Sequence, residues 1–447
     1  MAVGAVDPNG AGAAQLEGLY RVQPLEIWRF LRKQPASFWL VCFFVFLEYV
    51  RPQSIYPVLA VVPWSQLALV AALVALFFEG RRLGPLTIAD SGIIVFTGVV
   101  LASSALAYDP GYAFKLTNIS IYVSWVLVYF LVSSTVTTEK RFIVFIVAFL
   151  LYNLKMSQHV IRAWAGGGFG FDQWAAVGAP GWFHNPGEVG IEMVIFLPIS
   201  FMFFLGLKRH WKRWQRWFFL AFPVTALWAI AATSSRGSQL AAAAVALWLL
   251  GTSRYKVRGV FLAVLAAGAV YLALPETQKE RFKTMGEDKT SEARIVLWKD
   301  AWAIMNANPV LGVGYKNWIP YYRSQFVTTG QLPHNIFLEA GAEMGYTGVA
   351  AFVLLIGGTL ALNRRTRRLA KPAKARGHLV YMMAHGLDAA LVGYLVSGFF
   401  VTVLYYPFFW VNLAMTVSLY RVARNEYGGL VAGRRDRRAQ RISASPA

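Results

Sequence analysis

The chain has 447 residues, of which 57% are hydrophobic and only 15% charged, and it carries a net charge of +21. Soluble globular chains carry nearer a quarter charged residues, and a lone cysteine, Cys42, excludes an intramolecular disulfide. The composition excludes an ordinary soluble enzyme and predicts an all-α polytopic integral membrane protein, because apolar runs of bilayer length satisfy their own backbone only as helices.

In chain order, 1–36 is predicted to be a cytoplasmic N-terminal tail. Residues 1–19 lack the basic-then-apolar order of a cleavable signal peptide and read as disordered. About twelve spans follow. They lie near 37–51, 56–78, 88–106, 118–134, 142–157, 188–207, 217–233, 238–251 and 259–274, within a first membrane block of 37–274, and near 334–361, 379–403 and 407–420, within a second of 334–420. Residues 275–333 form a large loop with an amphipathic helix, and 421–447 a basic tail. Thirty of the 43 lysines and arginines fall on the side that holds both tails. Eight of the other 13 lie in the large loop, whose length weakens the charge bias. The first side is therefore expected to be cytoplasmic and 275–333 periplasmic, in a bacterial inner membrane. The basic excess reads as topology and attraction to anionic lipid, with no nucleic-acid partner.

Several outward features bear on chemistry. The loop 158–187 contains His159, Arg162, glycines from Gly166 to Gly168, and Phe183-His184-Asn185-Pro186. Ser234-Ser235-Arg236-Gly237 joins two spans with almost no loop, which holds Arg236 at membrane depth, where an arginine is costly and usually functional; an interfacial anchor is the plain alternative. After a polar stretch from Glu276 to Glu292, Ile295, Trp298, Trp302 and Met305 form one apolar helical stripe, with Arg294, Lys299 and Asp300 off it. Such a helix lies on the membrane surface or caps a cavity. Asn308-Pro309-Val310-Leu311-Gly312-Val313-Gly314-Tyr315 then breaks it.

His334 follows Pro333 and opens the tenth span. The helix dipole there keeps an imidazole neutral, and a neutral imidazole is a general base; the plain reading is a helix-start histidine bonded to water. Asn335 and Glu339 are i, i+4 neighbours that hold the helix start. Gly341 and Gly345 make a face suited to helix packing. The acids Glu48, Glu192, Glu343 and Asp388 are scattered among spans, as in a proton-coupled transporter or in buried structural pairs, and no internal repeat appears. No clustered carboxylates or phosphate-binding glycine loop point to a metal or nucleotide cofactor, so none is expected.

The outward face of an inner membrane holds no ATP, so an enzyme there needs a donor that arrives activated, such as a lipid diphosphate. A departing diphosphate needs cationic hydrogen-bond donors, which arginine supplies as a planar fork. At these residues the chain resembles the O-antigen ligase family of bacterial lipopolysaccharide assembly. The resemblance rests on Ser235-Arg236-Gly237, Ala293-Arg294 opening a Trp-rich helix, Asn308-Pro309 through Gly312-Val313-Gly314, and His334-Asn335 with Glu339 before a Gly-rich span. The Asn185-Pro186 segment is similar to a motif of the same superfamily. The motif match covers roughly 180–350. It implies a GT-C-like glycosyltransferase that moves glycan from undecaprenyl diphosphate to the lipid A–core oligosaccharide, with His334 as base and Arg236 and Arg294 holding the diphosphate. O-antigen polymerases and bacterial O-linked protein oligosaccharyltransferases share these motifs, so the three activities stay open; a lipid-linked glycan or small-molecule transporter is the rival of another class. Arg162, Lys299, Tyr315, Arg323, His159 and His184 are further candidates for substrate contacts, each equally readable as a loop residue.

Overall fold

The computed structural model describes residues 11–80, 84–169, 182–252, 289–325 and 331–443, with the single positions 178, 268 and 279. All regular structure among them is helical. We number the helices α1 (Ala11–Tyr20), α2 (Pro24–Leu31), α3 (Ala36–Tyr49), α4 (Trp64–Phe78), α5 (Ile88–Ala105), α6 (Leu116–Thr135), α7 (Glu139–Gly166), α8 (Pro186–Leu207), α9 (Arg213–Ala232), α10 (Arg236–Thr252), α11 (Lys289–Ala307), α12 (Trp318–Gln325), α13 (Ile336–Ala370), α14 (His378–Gly398) and α15 (Pro407–Ser443). Among the described residues, eight helical segments are long and apolar enough to cross a bilayer, and α4 is a shorter apolar helix. The chain is a multi-pass, all-α membrane protein. The span expected at 259–274 lies outside the described residues, apart from position 268.

The core is one continuous apolar cluster running through most helices. At its centre α8 packs along α14, α14 along α10, and α13 between α5 and α15. Close approach needs small residues: a Cβ at Gly386 of α14 would lie 3.0 Å from Met202 Cβ of α8. Two ion pairs join buried charges of the helices. Asp388 takes Arg367 and Asn363, and Arg421 bonds Asp90, which also accepts from Tyr129. Asp388 and Asp90 therefore serve packing between helices.

The basic connections gather at one end of the bundle. Tyr20 and Tyr427 both donate to Glu139, Trp211 Nε1 donates to the Tyr20 carbonyl, and His210 meets Glu17. Three boundaries differ from expectation. Residues 11–19, expected to be disordered, are helical, and the tail forms a second helix over 24–31, because Leu19, Tyr20 and Phe30 reach the core. The last helix does not stop at 420 but runs to Ser443, through a segment expected to be a tail. The eleventh span does not reach 403: α14 ends at Gly398, and 399–406 is a non-helical link.

Candidate active site

At the opposite end of the bundle, α13 is two helices fused across a break. Gly345 has φ 67° and ψ −168°, a region that glycine alone occupies without strain. A break in a helix frees carbonyls and amides that need new partners. The Asn308–Tyr315 segment supplies them: Val313 N–H donates to Ala342 O (2.9 Å) and Gly314 N–H to Glu343 O (2.9 Å), while Tyr346 N–H donates to Pro309 O (2.8 Å). Gly345 was expected to pack a helix face; its real neighbour is loop backbone, and a Cβ there would lie 2.5 Å from the Val310 carbonyl. Gly341 does pack a helix, against Met305 of α11. We expect Gly345→Ala to cost about 1–3 kcal/mol from backbone strain alone, more once the overlap with Val310 is relieved, and to lower the thermal midpoint of the purified protein. An unchanged midpoint would mean that the break tolerates a side chain.

The half-helix 336–344 carries the outer face of the site. Its start is fixed from several sides. Asn335 Oδ1 accepts from the Phe337 and Leu338 amides and so caps the helix, where an i, i+4 pairing with Glu339 was expected. Trp298 Nε1 donates to Pro333 O (2.9 Å), Trp318 Nε1 to Gln331 O (2.8 Å), and His334 N–H to Thr402 Oγ1 (2.8 Å). These bonds hold His334 at φ 49°, a left-handed conformation uncommon for a residue with a side chain. The imidazole is part-buried. Burial and then the positive charge of Arg294 hold its pKa below the ordinary histidine value. The direction agrees with the expectation from sequence, but the causes here are burial and an arginine instead of a helix dipole.

The α14–α15 link is the hub. Phe400 packs on Gly237, where a Cβ would lie 3.2 Å away, so the link touches the residue next to Arg236. Trp298 sits edge-on to Phe399 at 5.1 Å, and Thr402 holds His334. The Leu404 amide donates to the Glu339 carboxylate, Tyr405 OH donates to Glu343 (3.0 Å), and Tyr406 OH donates to Glu188 (3.0 Å). Lys316 lies 4.7 Å from the Tyr405 ring, and its charge acts on both Glu339 and Glu343. The segments bearing Arg236, Arg294, His334, Asn335 and Glu339 are thus joined through residues 399–406. Sequence reading missed this link because Phe399-Phe400-Val401-Thr402-Val403-Leu404-Tyr405-Tyr406 is apolar enough to pass for the end of a span.

The other candidates are dispersed. Tyr315 is fully buried and its hydroxyl donates to Asn118 O, which makes it part of the packing. Lys299 and Arg323 are exposed on α11 and α12. His159 and Arg162 are exposed near the end of α7, and His184 is exposed just before α8. The expected stripe on α11 is met at two of its four positions, Met305, which is buried, and Trp298, which is part-buried. Leu297, Ala301, Ile304 and Met305 are buried, whereas Ile295 and Trp302 are exposed, so the helix turns a different face to α13.

Residues 221–353 match the family model described as O-antigen ligase. Over that stretch the chain is similar to O-antigen ligases. No curated protein matches the chain. The matched stretch runs from within α9 into α13, and it takes in Arg236, Arg294, His334, Asn335 and Glu339. It leaves out Arg162, His159, His184 and the whole 399–406 link. The match supports a ligase-type function in general.

Proposed function

We propose that the protein transfers O-antigen or a similar glycan from undecaprenyl diphosphate to the lipid A–core oligosaccharide, on the periplasmic side of the inner membrane. The observation that carries the reading is the part-buried His334, held in a strained backbone by Thr402 and Trp298 contacts and subject to the charge of Arg294. A base kept neutral beside a cation is what this displacement requires: the base takes a proton while the cation meets a leaving diphosphate. In the proposed step, His334 accepts the proton of an acceptor hydroxyl. That oxygen bonds to the anomeric carbon of the donor sugar, and the bond from that carbon to the diphosphate oxygen breaks. The electron pair leaves on undecaprenyl diphosphate, which Arg236 and Arg294 stabilise. An in-line displacement of this kind inverts the anomeric centre.

The step uses no metal and no nucleotide. Purified protein given lipid-linked glycan and rough lipopolysaccharide is expected to put glycan onto lipid A–core, read on a gel, and to do so in EDTA without ATP. Loss of transfer on chelation, restored by Mg²⁺ or Mn²⁺, would overturn the metal-free step. Lengthening of the lipid-linked glycan would assign polymerase activity, and glycan on a protein acceptor would assign protein glycosylation.

A further inference from the structure

The basic end of the bundle carries a second feature, remote from the matched stretch. Helices α1 and α2 and the start of α7 enclose an open cleft of about 930 Å³. Five cationic side chains line it, Arg21, Arg29, Arg32, Lys33 and Lys140, against two carboxylates, Glu17 and Glu26. Both carboxylates are already engaged: Glu17 with Arg21 and His210, and Glu26 with Arg29 at 2.6 Å. Lys140 donates to Gln15. Arg32 and Lys33 are exposed and form no ion pair among the described residues.

Depth decides what such a cleft meets. Lys33 lies three residues before α3 begins, and Lys140 is the second residue of α7; the helical segment Ala36–Ile55 that α3 opens, and α7 itself, are long and apolar enough to cross the bilayer. The cleft therefore sits where spans enter the membrane, at headgroup level. Helix α2 buries Phe30 while leaving Leu25 57% and Trp28 52% exposed, and Trp39 of α3 stands edge-on to Trp28 at 6.2 Å. Indoles and leucines beside cations fit an interfacial helix, whose apolar side chains enter the acyl boundary while its charges stay with the headgroups. A soluble polyanion would gain nothing from Leu25 and Trp28.

We propose that this cleft is a binding site for the phosphodiester headgroup of an anionic membrane phospholipid, with Arg32 and Lys33 as the principal phosphate contacts. The net positive lining favours an acidic headgroup over a zwitterionic one, because a zwitterion brings its own cation into the cleft.

The test uses the full chain in nanodiscs of mixed phosphatidylcholine and phosphatidylglycerol, with retained lipid read by native mass spectrometry. Wild type is expected to retain phosphatidylglycerol preferentially. Arg32→Gln with Lys33→Gln should lower that retention roughly thirtyfold, as the loss of two charge contacts at a membrane surface predicts. The charge-keeping pair Arg32→Lys with Lys33→Arg should restore it. Arg364→Gln with Arg365→Gln, two exposed arginines near the end of α13, should leave it unchanged. All four residues are exposed, so the fold does not depend on them. Equal retention in wild type and both glutamine variants would overturn the site. Displacement of bound lipid by inorganic phosphate alone would show a free-anion site instead.

Discussion

Replacing His334 with alanine is expected to abolish glycan transfer while donor binding persists, because Arg236 and Arg294 remain. His334→Gln should fail as well, since an amide can hydrogen-bond but cannot take a proton at neutral pH. The wild-type rate should rise with pH through one ionisation below the ordinary histidine value of 6.5. The sign follows from the chemistry. Below its pKa the imidazole already holds a proton and cannot accept another, so activity is lost as pH falls and is full at neutrality. The measurements are a pH–rate profile and donor binding by the His334→Ala protein, checked for intact folding. A variant that binds donor and still transfers at near wild-type rate would remove His334 from the mechanism and redirect the search for the base to His159 or His184.

The second large effect concerns the arginines. Arg236→Ala and Arg294→Ala should each lower turnover by roughly ten- to a thousandfold, the range for losing a donor that meets charge developing in the transition state. Lysine should be a poor replacement, because it offers a point charge and no fork. The two positions should nevertheless differ. The positive charge of Arg294 depresses the His334 pKa, so the residual activity of Arg294→Ala should show its ionisation moved upward. Arg236→Ala should leave that ionisation where it is. If Arg236→Lys were fully active, Arg236 would be an interfacial anchor; an unmoved profile in Arg294→Ala would break the electrostatic link between the two residues.

Much of this was legible in the chain, for identifiable reasons. Apolar length fixes helices in a bilayer without any need for fine pattern, so the spans could be read directly. Arg236 and His334 stood out because charge and imidazole are rare at membrane depth. Other features were hidden by the same solvent. On α11 both Ile295 with Trp302 and Leu297 with Ile304 are apolar, and only the fold separates the exposed pair from the buried one. Hydrophobic pattern marks the core in water; beside a bilayer an apolar residue can equally face lipid. Residues 399–406 look like membrane, yet Thr402, Leu404 and Tyr405 spend their polar groups on His334, Glu339 and Glu343. Gly345 shows in sequence only as a small residue, because its backbone angle is written by the loop that it meets.

The interruption at Gly345 also bears on how the molecule comes apart. The amides of Val313, Gly314 and Tyr346 cross the break, and the half-helix shares a small apolar cluster with α11 and α12 through Ala342, Leu297, Ala301, Val313 and Trp318. We therefore expect residues 297–325 and the half-helix 336–344 to open as one cooperative unit. Slow exchange at those three amides should be lost together, and a lesion far out in the loop should loosen the base and its helix at the same moment.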